Sequence, residues 1–93
     1  MSFELAFLED ALKEWKKLDS VTRQHFKTKL AERLQNPRVP SAQLGGQKNR
    51  YKIKLRSVGY RLVYEVRDKE LVVVVVAVGK RERSAVYKSA AKR

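Results

Sequence analysis

Eight side chains have the types and spacing to handle a phosphate. Lys52, Lys54 and Arg56 alternate in Tyr51-Lys52-Ile53-Lys54-Leu55-Arg56, Arg61 is embedded in the apolar run Tyr60-Arg61-Leu62-Val63-Tyr64, and Lys80, Arg81 and Arg83 follow Gly79, with Tyr87 close behind. Alternating cations on a strand are most often a solvated face, and that reading stays open. Two positions weigh against it. A solitary guanidinium within an apolar strand needs a reason, and Arg81 sits where a buried strand ends, a common place for function. Arginine's planar donors fit phosphate oxygens, whereas a lysine crowded by like charges loses its proton more easily, so Lys52 or Lys54 can accept a proton near neutral pH. Lys80, Arg83 and Arg56 extend the same basic surface as RNA contacts. Tyr87, set among Ser84, Lys88 and Ser89, can stack on a nucleobase, a contact worth about 1–3 kcal/mol. Tyr60 and Tyr51 are further candidates, although they and Tyr64 fall in the apolar strand pattern and read first as core.

Composition removes other chemistries. With no cysteine and one histidine, His25, the chain has neither a thiolate metal site nor paired catalytic histidines, so no metal and no cofactor are expected. Leu44-Gly45-Gly46 lacks the lysine and serine of a nucleotide loop. His25 reads as exposed, Trp15 as core, and Glu65, the one acid on the basic face, as charge balance rather than a general base. Residues 1–47 hold 8 basic and 6 acidic side chains, net +2, whereas residues 48–93 hold 14 and 4, net +10. That asymmetry favours a polyanion, since each cation set against a phosphate releases counterions. No apolar run approaches the roughly 20 residues of a membrane span and the amino terminus has no signal-peptide layout, so the expectation is a cytoplasmic protein without membrane contact.

The elements that must position these residues fit one domain over residues 1–93. Ser2 to Phe7 reads as a strand. Leu8, Ala11, Leu12, Trp15 and Leu18 form one helical face; after an N-cap at Asp19-Ser20, Val21, Phe26, Leu30 and Leu34 form another, stopped by Asn36-Pro37. These two helices predict an antiparallel hairpin. A loop from Pro37 to about Arg50 leads into Tyr51 to Arg56, which pairs with Tyr60 to Val66 through a two-residue Val58-Gly59 turn. That register sets Arg56 beside Arg61, Lys54 beside Val63 and Lys52 beside Glu65. Leu71 to Val78 is apolar on both faces and belongs in the middle of the sheet. Ser84 to Ala91 reads as a weakly docked terminal helix, its apolar stripe being thin. The expected class is α+β: β-α-α-β-β-β with a short C-terminal helix, the helical hairpin packed on a mostly antiparallel sheet.

Tyr51-Lys52-Ile53-Lys54-Leu55-Arg56, Gly59-Tyr60-Arg61-Leu62-Val63-Tyr64, Val78-Gly79-Lys80-Arg81-Glu82-Arg83 and Val86-Tyr87 resemble the RelE family of bacterial toxin–antitoxin ribonucleases, and Ala11 to Leu18 is similar to that family's first helix. The likeness runs from Phe3 to about Tyr87. It implies a RelE/ParE-like fold and a cytoplasmic toxin that enters the A site of the 70S ribosome, cuts messenger RNA there and arrests translation. It also implies a RelB-like antitoxin that wraps the toxin, with operator DNA bound only through the antitoxin complex; to cover a half carrying +10, that antitoxin should be acidic. The family's functional residues match at Lys52, Lys54, Arg61, Arg81 and Tyr87. In the family reaction the 2′-hydroxyl attacks the adjacent phosphate, leaving a 2′,3′-cyclic phosphate and a 5′-hydroxyl. Lys52 is then the candidate for proton removal, helped by Lys54, and either lysine can serve. Arg61 would hold the non-bridging oxygens, Arg81 would neutralise or protonate the departing oxygen, and Tyr87 would orient the base. Departures are Gly45, where the family carries arginine, and an end at Arg93 without an apolar tip. Two other readings use the same residues: a non-catalytic RNA- or DNA-binding module, and a ParE-like toxin directed at DNA gyrase.

Overall fold

In the computed structural model, which describes residues 2–82 and 84–93, the elements run β1 (Glu4–Phe7), α1 (Glu9–Lys16), α2 (Ser20–Gln35), a 3-10 turn (Pro40–Ala42), β2 (Arg50–Leu55), β3 (Tyr60–Arg67), β4 (Val72–Lys80) and α3 (Ala85–Lys92). Asp19 caps α2 by accepting a hydrogen bond from the Thr22 amide at 3.2 Å, which holds its carboxyl below the usual carboxylate range. Asn36-Pro37 ends the helix as expected, because the residue before proline is pushed out of the helical region. The buried positions of α2 are Thr22, Phe26 and Leu30, while Val21 is 59% exposed. Five residues separate Val21 from Phe26, a rotation of about 140° around the helix, so Val21 cannot share the face that Thr22 joins.

The sheet has the order β1-β4-β3-β2, with β1 parallel to β4 and the other pairs antiparallel. The valine run is the interior strand β4, buried on both faces, as its lack of alternation requires. Ala11, Trp15, Phe26 and Leu30 of α1 and α2 pack on one face against Tyr51, Ile53, Leu55, Leu62, Tyr64 and Val75. Trp15 sits between Phe7 and Phe26, with ring centroids 5.2 and 6.2 Å away. Val86 and Ala90 of α3 cover the other face at Val63, Val76 and Ala77. Burying side chains such as these stabilises by roughly 1.5–3 kcal/mol each.

The β2–β3 register differs from the expected one. Strands end at Leu55 and begin at Tyr60, so the turn has four residues, Arg56 to Gly59. Lys54 therefore faces Arg61, Lys52 faces Val63, and Arg50 rather than Lys52 faces Glu65; Arg56 leaves the strand for the turn. Burying Tyr51, Ile53 and Leu55 with Leu62 and Tyr64 fixes only the parity of the pairing, and both turn lengths satisfy it. Gly59, at φ +68°, closes the turn in the left-handed region that glycine adopts freely. Between β3 and β4 the register slips at Val63/Tyr64, where Val63 pairs with Ala77 and Tyr64 with Val75, so Val76 is an unpaired bulge residue.

Candidate functional site

The observed register builds a row across the sheet. Lys54 lies opposite Arg61 on β3, and Arg61 lies opposite Gly79 on β4. Beyond β4 the ladder continues one step, the Arg81 amide donating to the Gly59 carbonyl at 2.7 Å. A Cβ on Gly79 would stand 3.2 Å from Val86 Cγ2, so the missing side chain lets α3 lie close against the strand end. Between these parts is a cleft of about 170 Å³ lined by Lys54, Arg61, Lys80, Arg81 and Tyr87, with Ser84 to Val86 at the start of α3 completing the wall.

Arg61 is 8% exposed, and its Nη1 donates to the Tyr60 carbonyl at 3.2 Å. Among the described residues no carboxylate forms an ion pair with Arg61, Lys54, Lys80 or Arg81. A nearly buried cation without a counter-charge is costly unless an anion arrives from outside. Repulsion from Lys52, then desolvation and the charges of Arg61, Arg56 and Arg81, hold the Lys54 ammonium below the ordinary lysine range. Tyr87 is half-buried, its hydroxyl enclosed and without a hydrogen-bond partner among the described residues.

The cleft thus brings together Lys54, Arg61, Lys80, Arg81 and Tyr87. Lys52 and Arg56 are not part of its wall; they line an adjoining groove that shares Lys54. Arg83 lies outside the described residues. Tyr51 and Tyr64 stack in the core at 5.6 Å, Tyr60 packs against that core, and His25 is exposed. Glu65 bonds Arg50 at 3.1 Å and Arg67 at 2.9 Å. Burial opposes its ionisation, but the hydrogen bonds from Arg67 and Arg50 outweigh it and keep the carboxyl below its ordinary value. It balances those arginines instead of entering the cleft. Among the described residues no group of three His, Cys, Asp or Glu is placed to hold a metal ion, and no helix is long and apolar enough to cross a membrane.

Docking of α3, and with it Tyr87, depends on residues the sequence did not single out. Arg93 donates to both Glu14 oxygens at 2.9 and 3.1 Å and to the carbonyl of the bulge residue Val76 at 2.9 Å. Glu14 Oε1 also accepts from the Val78 amide at 3.1 Å, and Arg50 donates to the Ala90 carbonyl. The helix is therefore held more firmly than its thin apolar stripe suggests. Glu14→Ala would strand the Val78 amide and the Arg93 guanidinium, so we expect a loss of about 1–3 kcal/mol in urea unfolding. An unchanged midpoint would show that the clamp contributes nothing.

The sheet, with α1 and α2 on one face and α3 on the other, carries a cationic cleft lined by no carboxylate among the described residues, and the chain that builds it matches toxins of type II toxin–antitoxin systems. The family described as ParE toxin of type II toxin-antitoxin system, parDE, matches residues 5–85. Over 93 residues the chain is 56% identical to the mRNA interferase toxin RelE of Escherichia coli strain K12, covering 100% of this chain and 98% of the relative. Its structure matches a mutant of E. coli toxin RelE in the free state at a TM-score of 0.92 and 54% identity, covering 100% and 98% of the two chains. The match to a chain of the intact E. coli RelBE toxin–antitoxin complex has a TM-score of 0.84 and 54% identity, over 88% of this chain and 100% of that one. The chain belongs to this toxin family, on its RelE branch.

Proposed function

We propose that the chain is a single-domain toxin that acts in the cytoplasm as a ribosome-dependent endoribonuclease, cutting messenger RNA in the A site of the 70S ribosome and so stopping translation. The observation that carries this reading is the nearly buried Arg61, without a carboxylate partner among the described residues, facing Lys54 in one cleft with Arg81. Whole-length identity to an mRNA interferase supports it.

In the reaction the message's 2′-oxygen attacks the adjacent phosphorus while its proton passes to the neutral amine of Lys54. Arg61 binds the non-bridging oxygens and is worth most as charge builds on the phosphorane. The bond to the 5′-oxygen breaks, Arg81 neutralises the departing oxygen while it takes a proton from water, Lys54 returns its own proton to solvent, and the products are a 2′,3′-cyclic phosphate and a 5′-hydroxyl. The first amides of α3 add positive potential at the same cleft. Tyr87 stacks on the base, and Lys80, Arg56 and Arg83 hold flanking phosphates. Lys54 is favoured over Lys52 as proton acceptor because it lines the cleft with the arginines, while the charge of Lys52 is the first cause of its lowered proton affinity. The site lacks a histidine–carboxylate pair; alignment by the ribosome supplies part of the rate, since orienting reacting atoms is worth several kcal/mol.

The partner that silences the toxin is an acidic, RelB-like antitoxin matched to the basic half, and operator DNA is bound through that antitoxin. A RelBE complex among the similar structures supports this. The match to the ParE description keeps a gyrase-directed reading in view, but the combination of Lys54, Arg61 and Arg81 in one cleft is suited to RNA transesterification.

Primer extension on translating ribosomes tests the proposal: cuts within A-site codons are expected from the wild type, with Arg81→Ala about 10²-fold slower. Salt-sensitive RNA binding without a cut product, or inhibited DNA supercoiling without RNA cleavage, would overturn it in favour of a binding module or a gyrase poison.

A further inference from the structure

A second half-buried guanidinium lies beside the catalytic cleft. Arg33, on α2, donates through Nη1 to the Tyr64 hydroxyl at 2.8 Å and to the Lys52 carbonyl at 3.3 Å, with its guanidinium carbon 5.7 Å from the Tyr64 ring centroid. Tyr64 in turn donates to the Pro37 carbonyl at 2.7 Å, so the anchor is tied to both the helix end and the sheet. These bonds occupy one terminal nitrogen. Among the described residues Nε and Nη2 have no protein acceptor, and no carboxylate pairs with Arg33, Lys52, Lys54 or Arg56. A groove of about 310 Å³ opens here, walled by Arg33, Ser41, Lys52, Lys54 and Arg56, and it meets the cleft at Lys54.

We propose that this groove is a second phosphodiester subsite, in which Arg33, Lys52 and the Ser41 hydroxyl hold an RNA phosphate next to the one being cut. The inference rests on the endoribonuclease reading and extends it. Lys54 and Lys52 lie on the same face of β2, two residues apart, a step of about 6.6 Å that matches the spacing of successive phosphates along an extended strand of RNA. A chain whose scissile phosphate sits on Arg61 and Lys54 therefore has its neighbour delivered to Lys52 and Arg33. A fixed guanidinium with free donors at the wall of a polar groove suits two non-bridging oxygens. An acidic peptide would also be attracted, but the even cation spacing and the continuity with the cleft favour phosphates. The phosphate is the message's own, the neighbour of the one being cut.

The test is steady-state cleavage on programmed ribosomes by Ser41→Glu, Ser41→Lys and Arg33→Gln. Ser41 is exposed, so its variants change the groove's charge without disturbing the fold, whereas Arg33→Gln also loses the bond to Tyr64. Ser41→Glu is expected to raise KM about tenfold with kcat within about twofold, Ser41→Lys to lower KM, and Arg33→Gln to reduce the salt dependence of kcat/KM by about one phosphate contact. Repeating the assay on messages cut back to the A-site codon separates the sources. If the Ser41→Glu defect disappears, the phosphate is the message's, as proposed; if it persists, the groove holds a ribosomal phosphate and the adjacent-phosphate proposal is overturned. An unchanged KM for Ser41→Glu overturns the proposal, and weaker antitoxin binding alongside that unchanged KM assigns the groove to an acidic peptide instead. Absence of cleavage by the wild type would strike the endoribonuclease reading itself.

Discussion

Arg61→Met is expected to lower the single-turnover rate of message cleavage by about 10²–10³-fold while ribosome binding changes little. Methionine keeps an unbranched apolar stem on β3 opposite Gly79 and removes the cationic head. Its effect on stability should have the opposite sign. Arg61 as a residue is 8% exposed, and its guanidinium bonds a single carbonyl and pairs with no acid among the described residues. Removing an uncompensated buried charge relieves a desolvation penalty, so the melting temperature should hold or rise. Activity falling with stability maintained marks a residue kept for the transition state at the fold's expense. If activity and melting temperature fell together, Arg61 would be a structural cation and the cleft would lose its principal phosphate ligand.

The same residue shows how far the sequence could be read. A guanidinium inside Tyr60-Arg61-Leu62-Val63-Tyr64 was legible as anomalous because the strand is otherwise largely apolar and a solitary charge there needs a reason. The interior place of β4 followed from valines on both faces, and the Asp19 cap and Pro37 stop from local backbone chemistry. What faces Arg61 was not legible. Alternation constrains a register only modulo two, so the choice between a two-residue turn at Val58-Gly59 and the observed four-residue turn rested on hairpin habit, and it misplaced Lys52, Lys54 and Arg56 by one pair. The tertiary anchors were beyond reach for another reason. Glu14 and Arg93 are 79 residues apart and each reads as an ordinary helical charge; only the bulge at Val76 and the stretch of β4 past Val75, where its pairing with β1 ends, give them a task. Arg33 likewise resembles any solvated cation on α2 until Tyr64 and the Lys52 carbonyl are brought beneath it.

The pH dependence of cleavage separates the two lysines. Lys54 accepts a proton only as the neutral amine, so the rate should rise with pH along an acid limb positioned by its proton affinity. That affinity lies below lysine's ordinary value, with the Lys52 charge as the first cause and desolvation and three arginines behind it. Lys52→Met removes the leading repulsion, Lys54 holds its proton more tightly, and the limb moves to higher pH. The variant should be slow near neutrality and recover as the pH is raised. Lys54→Met should lose about 10²–10⁴-fold at every pH, because the acceptor itself is gone. If Lys52 were the acceptor, Lys52→Met would be inactive at every pH while Lys54→Met kept activity. None of the three arginines confuses the result, since guanidinium stays protonated across the accessible range. One pair of pH–rate profiles on stalled ribosomes therefore distinguishes a lysine that takes the proton from one that lowers its neighbour's hold on it, a distinction that rates measured at a single pH cannot make.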